Sequence, residues 1–198
     1  TIVYPNNPKL EMCEELLNSI LLDKSNKVLI WAHFTQELNL IENLVKKLNK
    51  KYVRIDGTKT AKECSDNIKI FEENPECTVY IGQISSGVGI DLVSANYTIY
   101  FSLDYNLDHY DQTLKRNHRI GQKRPVTVYR LIAENTVEQY IVLALKNKKN
   151  IATALTTKVH CIICANKITC AEAGILPFDK ECIYDATAQR IITRPQTI

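Results

Sequence analysis

Two arginines lie three residues apart in the stretch from Gln112 to Gln122, at the end of a predicted helix. That spacing places Arg116 and Arg119 on one helical face. A guanidinium is permanently charged and forks onto phosphate oxygens, so the pair could stabilise the charge that develops in phosphoryl transfer. The alternative is that both arginines form surface salt bridges, and spacing alone favours that alternative.

A glycine-containing stretch from Ser85 to Leu92 follows another predicted strand and reads Ser-Ser-Gly-Val-Gly-Ile-Asp-Leu. Its glycines allow close backbone approach and positive φ angles. An ordinary glycine-containing loop is the simpler interpretation of this stretch when it is taken alone.

The sequence lacks the parts that bind ATP tightly. A phosphate-binding Walker loop needs a lysine directly after its second glycine, but Val88 follows Gly87. The sequence also shows no Asp-Glu pair at the end of a strand to hold Mg²⁺. Any ATP chemistry must therefore be shared with another lobe.

Cysteine spacing near the end of the chain suggests a metal site. Cys161 and Cys164 have the spacing of a zinc knuckle, and Cys170 and Cys182 could complete four ligands, with His160 as a substitute. A second C-x-x-C is missing, so reduced, partly buried cysteines are the open alternative. The other cysteines fall within the element pattern and are predicted core residues: Cys13, Cys64 and Cys77.

The elements that must position these residues alternate between strands and helices. Short apolar runs predict strands at 28–32, 52–55, 79–81, 97–101 and 126–131, and helical periodicity covers 10–21, 38–48, 68–71, 110–118 and 137–145. This order predicts an α/β fold with a mainly parallel open sheet flanked by helices, whose ligands meet the carboxyl ends of the strands. Periodicity weakens later, so we expect a lobe at 1–155 and a small cysteine-containing module at 156–198.

Composition sets broad limits on the class of protein. The chain has 198 residues, 45% of them hydrophobic, which suits one compact domain with an appendix and argues against disorder. A net charge of +3 does not by itself indicate nucleic acid. No apolar run approaches the roughly 20 residues that span a bilayer, and no signal peptide is visible, so we expect an intracellular protein without a membrane partner. Because the first residue is Thr1, we expect a fragment.

Four stretches together resemble one family. Residues 112–122 are similar to helicase motif VI of the Swi/Snf family, Q-x-x-x-R-x-H-R-I-G-Q, and 125–138 look like its continuation. Residues 85–92 resemble motif V, 31–36 resemble motif IV, and 56–58 resemble the Asp-Gly-Thr motif that follows. The family order is kept, so the resemblance implies the second RecA-like lobe of an ATP-driven translocase on double-stranded DNA. Its partner is an N-terminal RecA-like lobe of the same polypeptide, which binds most of the ATP and Mg²⁺.

The resemblance also implies roles residue by residue. The catalytic arginines that face the γ-phosphate are Arg116 and Arg119. The implied nucleotide-binding residues are Gly89, Asp91 and Gln112. The implied contacts to the DNA backbone are His33, Thr35, Gly57, Thr58, Ser85 and Ser86.

Other functions stay open on the sequence. The lobe could be a non-catalytic DNA-binding module, or the tail could be a zinc-organised interaction module. The resemblance places the protein in the nucleus or the cytoplasm, depending on its host. A viral or bacterial source is a hypothesis, because the tail is unlike the large accessory regions of chromatin remodellers.

Overall fold

The computed structural model describes residues 7–86, 89–104, 106–133 and 136–146, and within these ranges only the backbone of 107 and 143–146 is described. Later in the chain it describes the backbone alone of 182–185, 190–193 and 196–197. In chain order the lobe contains α1 (Pro8–Ile20), β1 (Val28–Ala32), α2 (Thr35–Lys47), β2 (Lys51–Ile55), α3 (Ala61–Glu73), β3 (Cys77–Gln83), β4 (Tyr97–Tyr100), α4 (Leu107–Leu114), β5 (Thr127–Arg130), β6 (Ile132–Ala133) and α5 (Val137–Lys146). Later strands are β7 (Cys182–Asp185), β8 (Arg190–Thr193) and β9 (Gln196–Thr197).

The main sheet has the order β2-β3-β1-β4-β5-β9. From β2 to β5 in this order, each strand is parallel to the next, and β9 pairs antiparallel with β5. Every residue of the central strand β1 is buried, as expected for a continuous apolar run covered on both faces. The structure therefore confirms the α/β fold and the mainly parallel open sheet.

Helices cover both faces of this sheet. Successive side chains of a strand point to opposite faces, and Ile30 accordingly packs in one apolar cluster while Trp31 packs in the other. The first cluster takes buried side chains from α1 and α2, including Leu17 and Ile41. The second takes them from α3, α4 and α5: Phe71, Tyr110, Ile141 and Val142.

Polar side chains at the helix starts explain where these helices begin. The Asn7 carboxamide oxygen accepts from the Leu10 N–H at 3.2 Å, just before Pro8. Thr60 and Glu63 form a reciprocal capping box at the start of α3. Within the described ranges, no helix is long and apolar enough to cross a membrane.

One predicted boundary is wrong. We expected a helix over 110–118, but α4 ends at Leu114 and turns follow it. The Arg116 carbonyl accepts from the Leu92 N–H at 3.0 Å instead of a helical partner. The buried Asn117 amide donates to Thr98 Oγ1 at 3.0 Å, which draws the chain towards β4. Arg116 and Arg119 therefore do not share a helical face.

The predicted cysteine module lies mostly outside the described residues. Cys161, Cys164 and Cys170 are outside them, and Cys182 begins β7, for which the backbone alone is described. β7 pairs parallel with β6 and antiparallel with β8. Where the structure describes side chains, no three His, Cys, Asp or Glu residues come together as a metal site. Zinc binding thus gains no support, and it stays a prediction together with the boundary at residue 155.

The predicted core cysteines are described. Cys13 and Cys77 are buried, as expected, and burial raises the pKa of the Cys13 thiol to about 12. Cys64 is half-buried and packs against the second cluster.

Candidate functional site

The predicted functional residues lie in two regions of the lobe. Because β1, β2 and β3 are parallel, the loops that follow them meet at one edge of the sheet. This carboxyl edge carries the predicted DNA contacts: His33, Thr35, Gly57, Thr58, Ser85 and Ser86. The turns after α4 reach the other end of β4, since Gln122 Nε2 donates to the Ala95 carbonyl at 2.7 Å. Helix α4 itself, which carries Gln112, contacts the Ile84–Ser86 segment of the carboxyl edge.

Residues 115–122, which we call the arginine turn, are fixed to the segment that precedes β4. Gln122 Nε2 donates to the Val93 carbonyl at 3.0 Å as well as to Ala95. Its carboxamide oxygen accepts from the Arg124 N–H at 2.9 Å. With the bond from the Leu92 N–H to the Arg116 carbonyl, these contacts give the turn a rigid base.

Arg116 is an anchored side chain. Its Nε donates to the Gln112 carbonyl at 2.8 Å, and its Nη1 donates to the Ile90 carbonyl at 2.9 Å. The residue is half-buried. The bond to the Ile90 carbonyl joins the turn to the glycine-containing segment. Because its donor is charged, this hydrogen bond is roughly twice as strong as a neutral one.

Arg119 is exposed and weakly held. Its guanidinium pairs with the Asp91 carboxylate, and the two side chains are 52% and 60% exposed. Among the described residues, Asp91 is the ion-pair partner of this guanidinium. Arg119 can therefore exchange partners at small cost, whereas Arg116 cannot.

The surroundings of Arg119 suit phosphate. An open depression around it is lined by Lys115, Arg116, His118, Arg119, Ile120, Gln122 and Arg124. The cations among them are Lys115, Arg116, Arg119 and Arg124, and they favour an anionic ligand such as phosphate. The described side chains form no cluster of three carboxylates that could hold Mg²⁺.

The three predicted nucleotide-binding residues differ in their surroundings. Gly89 is exposed with a φ of 75°, a conformation that glycine adopts readily. The Asp91 carboxylate is paired with Arg119 and would repel a phosphate directly. The Gln112 carboxamide oxygen is buried without a hydrogen-bond partner among the described residues.

At the carboxyl edge, the donors of Thr58 are already used. Its N–H and its hydroxyl donate to Asp56 Oδ1 at 3.0 and 2.5 Å. Burial opposes ionisation of Asp56, but the bonds from Thr58 and the ion pair with Arg54 hold the pKa of this carboxyl below its ordinary value. A phosphate bound by Thr58 would have to displace Asp56.

Other groups at this edge are better placed for a phosphate. Thr35 and Ser85 are exposed, and neither hydroxyl has a hydrogen bond to the described residues. The Ser86 hydroxyl instead donates to the Gln83 carbonyl at 3.1 Å. Lys59, which no predicted contact includes, directly follows Thr58 and is exposed. Its position beside the Asp-Gly-Thr motif was the available signal.

His33 lies beside an acidic group. Its Nδ1 is 3.8 Å from Asp104 Oδ1, while His109 Nδ1 lies 2.5 Å from Asp104 Oδ2. The edge of its ring also contacts the exposed ring of Phe34 at a centroid distance of 4.5 Å. A phosphate contact from His33 must therefore compete with the Asp104 charge, and no sequence motif predicts this constraint because the two residues are distant in the chain.

The motif arrangement agrees with an independent comparison. Residues 8–121 match the family described as "Helicase conserved C-terminal domain", which is more than half of the 198 residues. The chain belongs to this helicase family, in its Swi/Snf-type branch. The sequence-based identification of the family is thereby confirmed.

Relatives of this helicase C-terminal domain are much longer proteins. It is 32% identical over 156 residues to the DNA repair and recombination protein RAD54-like of Drosophila grimshawi, covering 75% of this chain and 20% of the relative. It is 34% identical over 139 residues to the ATP-dependent helicase fft2 of Schizosaccharomyces pombe, covering 70% of this chain and 11% of that one. The crystal structure of the C-terminal part of the Fun30 ATPase domain matches with a TM-score of 0.66 and 31% identity, over 72% of this chain and 47% of that one.

Proposed function

We propose that this helicase C-terminal domain is the second motor lobe of an ATP-dependent translocase on double-stranded DNA. The observation that carries the proposal is an exposed Arg119 mounted on a turn that Gln122 and Arg116 fix in place. ATP is bound mainly by an N-terminal RecA-like lobe of the same polypeptide. Mg²⁺ would be bound with ATP by that lobe, where it would supply charge neutralisation for the phosphates. Relatives named as an ATP-dependent helicase and a DNA repair protein support this class of activity.

The two arginines have different roles. Arg116, bound to two backbone carbonyls, keeps the turn against residues 90–95. Arg119 leaves Asp91 and donates to the γ-phosphate when the lobes close, since a phosphate offers more charge than an exposed carboxylate. An arginine supplied in this way raises turnover by about 10³- to 10⁵-fold in related phosphoryl-transfer enzymes.

The carboxyl edge holds the DNA backbone. The exposed hydroxyls of Thr35 and Ser85 and the ammonium of Lys59 supply contacts that set position and carry no sequence information. In the sequence, residues 84–92 connect Ser85 and Ser86 of this edge to Asp91, the partner of Arg119. This segment therefore offers a direct covalent route by which DNA contact alters the position of Arg119.

A triplex-displacement assay tests the proposal. The polypeptide that carries both lobes is expected to displace a third strand from duplex DNA in the presence of ATP, without separating the duplex. Displacement should stop when a non-hydrolysable analogue replaces ATP. Duplex binding without displacement would favour the non-catalytic DNA-binding module instead.

The remaining assignments belong to the same proposal. We assign residues 1–155 to the motor lobe and 156–198 to a separate module, on the sequence pattern alone. Zinc at Cys161, Cys164, Cys170 and Cys182 is tested by metal analysis of the purified protein. The function requires a compartment that contains DNA, such as a nucleus. A viral source has no support, since the relatives described above come from a fly and a yeast.

A further inference from the structure

One amide side chain joins the loops of the carboxyl edge. Gln83 is the last residue of β3, which lies between β2 and β1 in the sheet. Its Nε2 donates to the His33 carbonyl at 3.2 Å, in the loop after β1. Its Oε1 accepts from the Gly57 N–H at 3.4 Å, in the loop after β2. Gln83 thus bridges the loops on both sides of its own strand.

The same residue also holds the segment that follows it. The Gln83 carbonyl accepts from the Ser86 hydroxyl at 3.1 Å. His33, Gly57 and Ser86 are three of the residues that the sequence predicts as DNA contacts. Gln83 was not among those predictions, yet it is the residue that contacts all three of these loops.

These side-chain bonds are additional to the pairing of the strands. β1 ends at Ala32, which pairs with Gln83, and β2 ends at Ile55, which pairs with Gly82. His33 and Gly57 lie beyond those ends, so the Gln83 amide extends the connection past the sheet. To bond both the His33 carbonyl and the Gly57 N–H, a side chain needs a donor and an acceptor, and a carboxamide has both. An ionised glutamate only accepts, and a methionine is a poor donor and acceptor.

We propose that Gln83 is a positioning residue that sets the spacing of the DNA-contacting loops. The inference rests on the proposed function. DNA phosphates are spaced regularly along a strand, so loops held at a fixed separation can meet them without being ordered on binding. If the bridge is lost, the loops must be ordered at the moment of binding, which weakens affinity for duplex without altering the arginine turn.

The test uses Gln83→Met and Gln83→Glu in the polypeptide that carries both lobes. Duplex affinity is measured by fluorescence anisotropy, and ATP turnover is measured against duplex concentration. Loss of two neutral hydrogen bonds predicts a rise of about tenfold in the duplex Kd for Gln83→Met. We expect kcat at saturating duplex and KM for ATP to stay within about twofold of the wild type, because the nucleotide-facing residues are unchanged.

Gln83→Glu keeps one contact and adds a charge. Its carboxylate can still accept from the Gly57 N–H but cannot donate to the His33 carbonyl, and its negative charge repels DNA phosphates. We therefore expect a duplex Kd at least as high as that of Gln83→Met, with the difference between the two variants shrinking at high salt. Gln139→Met makes the same chemical change at a residue of α5 that is not among the predicted DNA contacts, and it should leave the duplex Kd unchanged.

The outcomes distinguish this inference from the function on which it rests. If the wild type shows no duplex-stimulated turnover, the proposed function is contradicted, and the inference falls with it. If the wild type is stimulated but Gln83→Met binds duplex normally, the inference alone is overturned. The inference is also overturned if kcat at saturating duplex and the Tm fall together with affinity, since that pattern indicates a general structural role.

Discussion

The Arg119 guanidinium is paired with the Asp91 carboxylate, 28 positions earlier in the chain. Both side chains are more than half exposed, at 52% and 60%. Exposed ion pairs contribute about 1 kcal/mol or less, so this pair orients Arg119 without trapping it. Under the proposed function, Asp91 is a holding partner for Arg119 between nucleotide encounters, whereas the motif resemblance implies a direct nucleotide contact.

Asp91→Asn keeps the shape of the side chain and removes its charge. We expect kcat/KM for ATP to rise by no more than about fivefold, the equivalent of about 1 kcal/mol of lost competition. Steady-state ATP turnover at low ionic strength measures the effect. A fall of more than about tenfold would instead show that Asp91 contacts the nucleotide.

Arg116→Ala should destabilise the lobe, whereas Arg119→Ala should not. Loss of the bonds to the Gln112 and Ile90 carbonyls predicts a fall of about 2 kcal/mol in the free energy of unfolding. The exposed pair of Arg119 predicts a change below about 0.5 kcal/mol. Urea denaturation of this chain compares the two variants, and equal losses would contradict the division between anchor and mobile arginine.

The periodicity of apolar residues predicted the elements well because the buried face of each strand or helix must be apolar. The apolar run at 28–32 became the fully buried β1, and the spacing of Leu38, Ile41 and Val45 became the buried face of α2. The boundary at the end of α4 failed for a different reason. There the Asn117 and Gln122 side chains form tertiary hydrogen bonds that leave no periodic signal in the sequence.

Motif similarity proposes residues for the site but does not predict how they are arranged. It singles out Arg119 and Thr58, yet it cannot show that the Thr58 donors are bound to Asp56. Gln83 escaped notice because its partners are backbone groups of loops that are distant in sequence. Such bonds depend on strand order, and the sequence did not reveal that β3 lies between β2 and β1.

Gly82 is required by the packing of two rings in the central sheet. A Cβ atom there would lie 2.5 Å from the Tyr80 ring and 2.6 Å from the Trp31 ring. Overpacking of this kind predicts that Gly82→Ala lowers the free energy of unfolding by about 2–3 kcal/mol. In the matched variant Gly57→Ala, the nearest contact is 3.8 Å, so a change below about 0.5 kcal/mol is expected. Denaturant midpoints that fall equally in both would refute the packing argument.

Glu42 should make stability depend on acid pH. The hydrogen bond from Lys46 lowers the pKa of Glu42 from 4.5 to about 2, with Tyr52 and Arg54 adding to the effect against burial. Because the folded pKa is the lower one, this stabilisation is fully present above pH 4.5 and is lost as the pH falls towards 2. Because the Lys46 side chain is 56% exposed and solvent screens its pairing with Glu42, the loss amounts to about 1 kcal/mol.

The control for this effect is Glu42→Gln, which cannot ionise. The gap in unfolding free energy between wild type and variant should be widest near neutral pH and should close between pH 4.5 and about 2. Urea denaturation at a series of pH values measures that gap. A gap that stays constant over this range would show that the Glu42 charge does not contribute to stability.

The most direct test of the motor assignment is ATP turnover by the polypeptide that carries both lobes, with and without duplex DNA, for the wild type and Arg119→Ala. We expect duplex to stimulate the wild type strongly, and we expect the variant to lose about 10³-fold or more in kcat while its duplex Kd stays within about twofold. Turnover by Arg119→Ala within about tenfold of the wild type would contradict the role of Arg119 at the γ-phosphate.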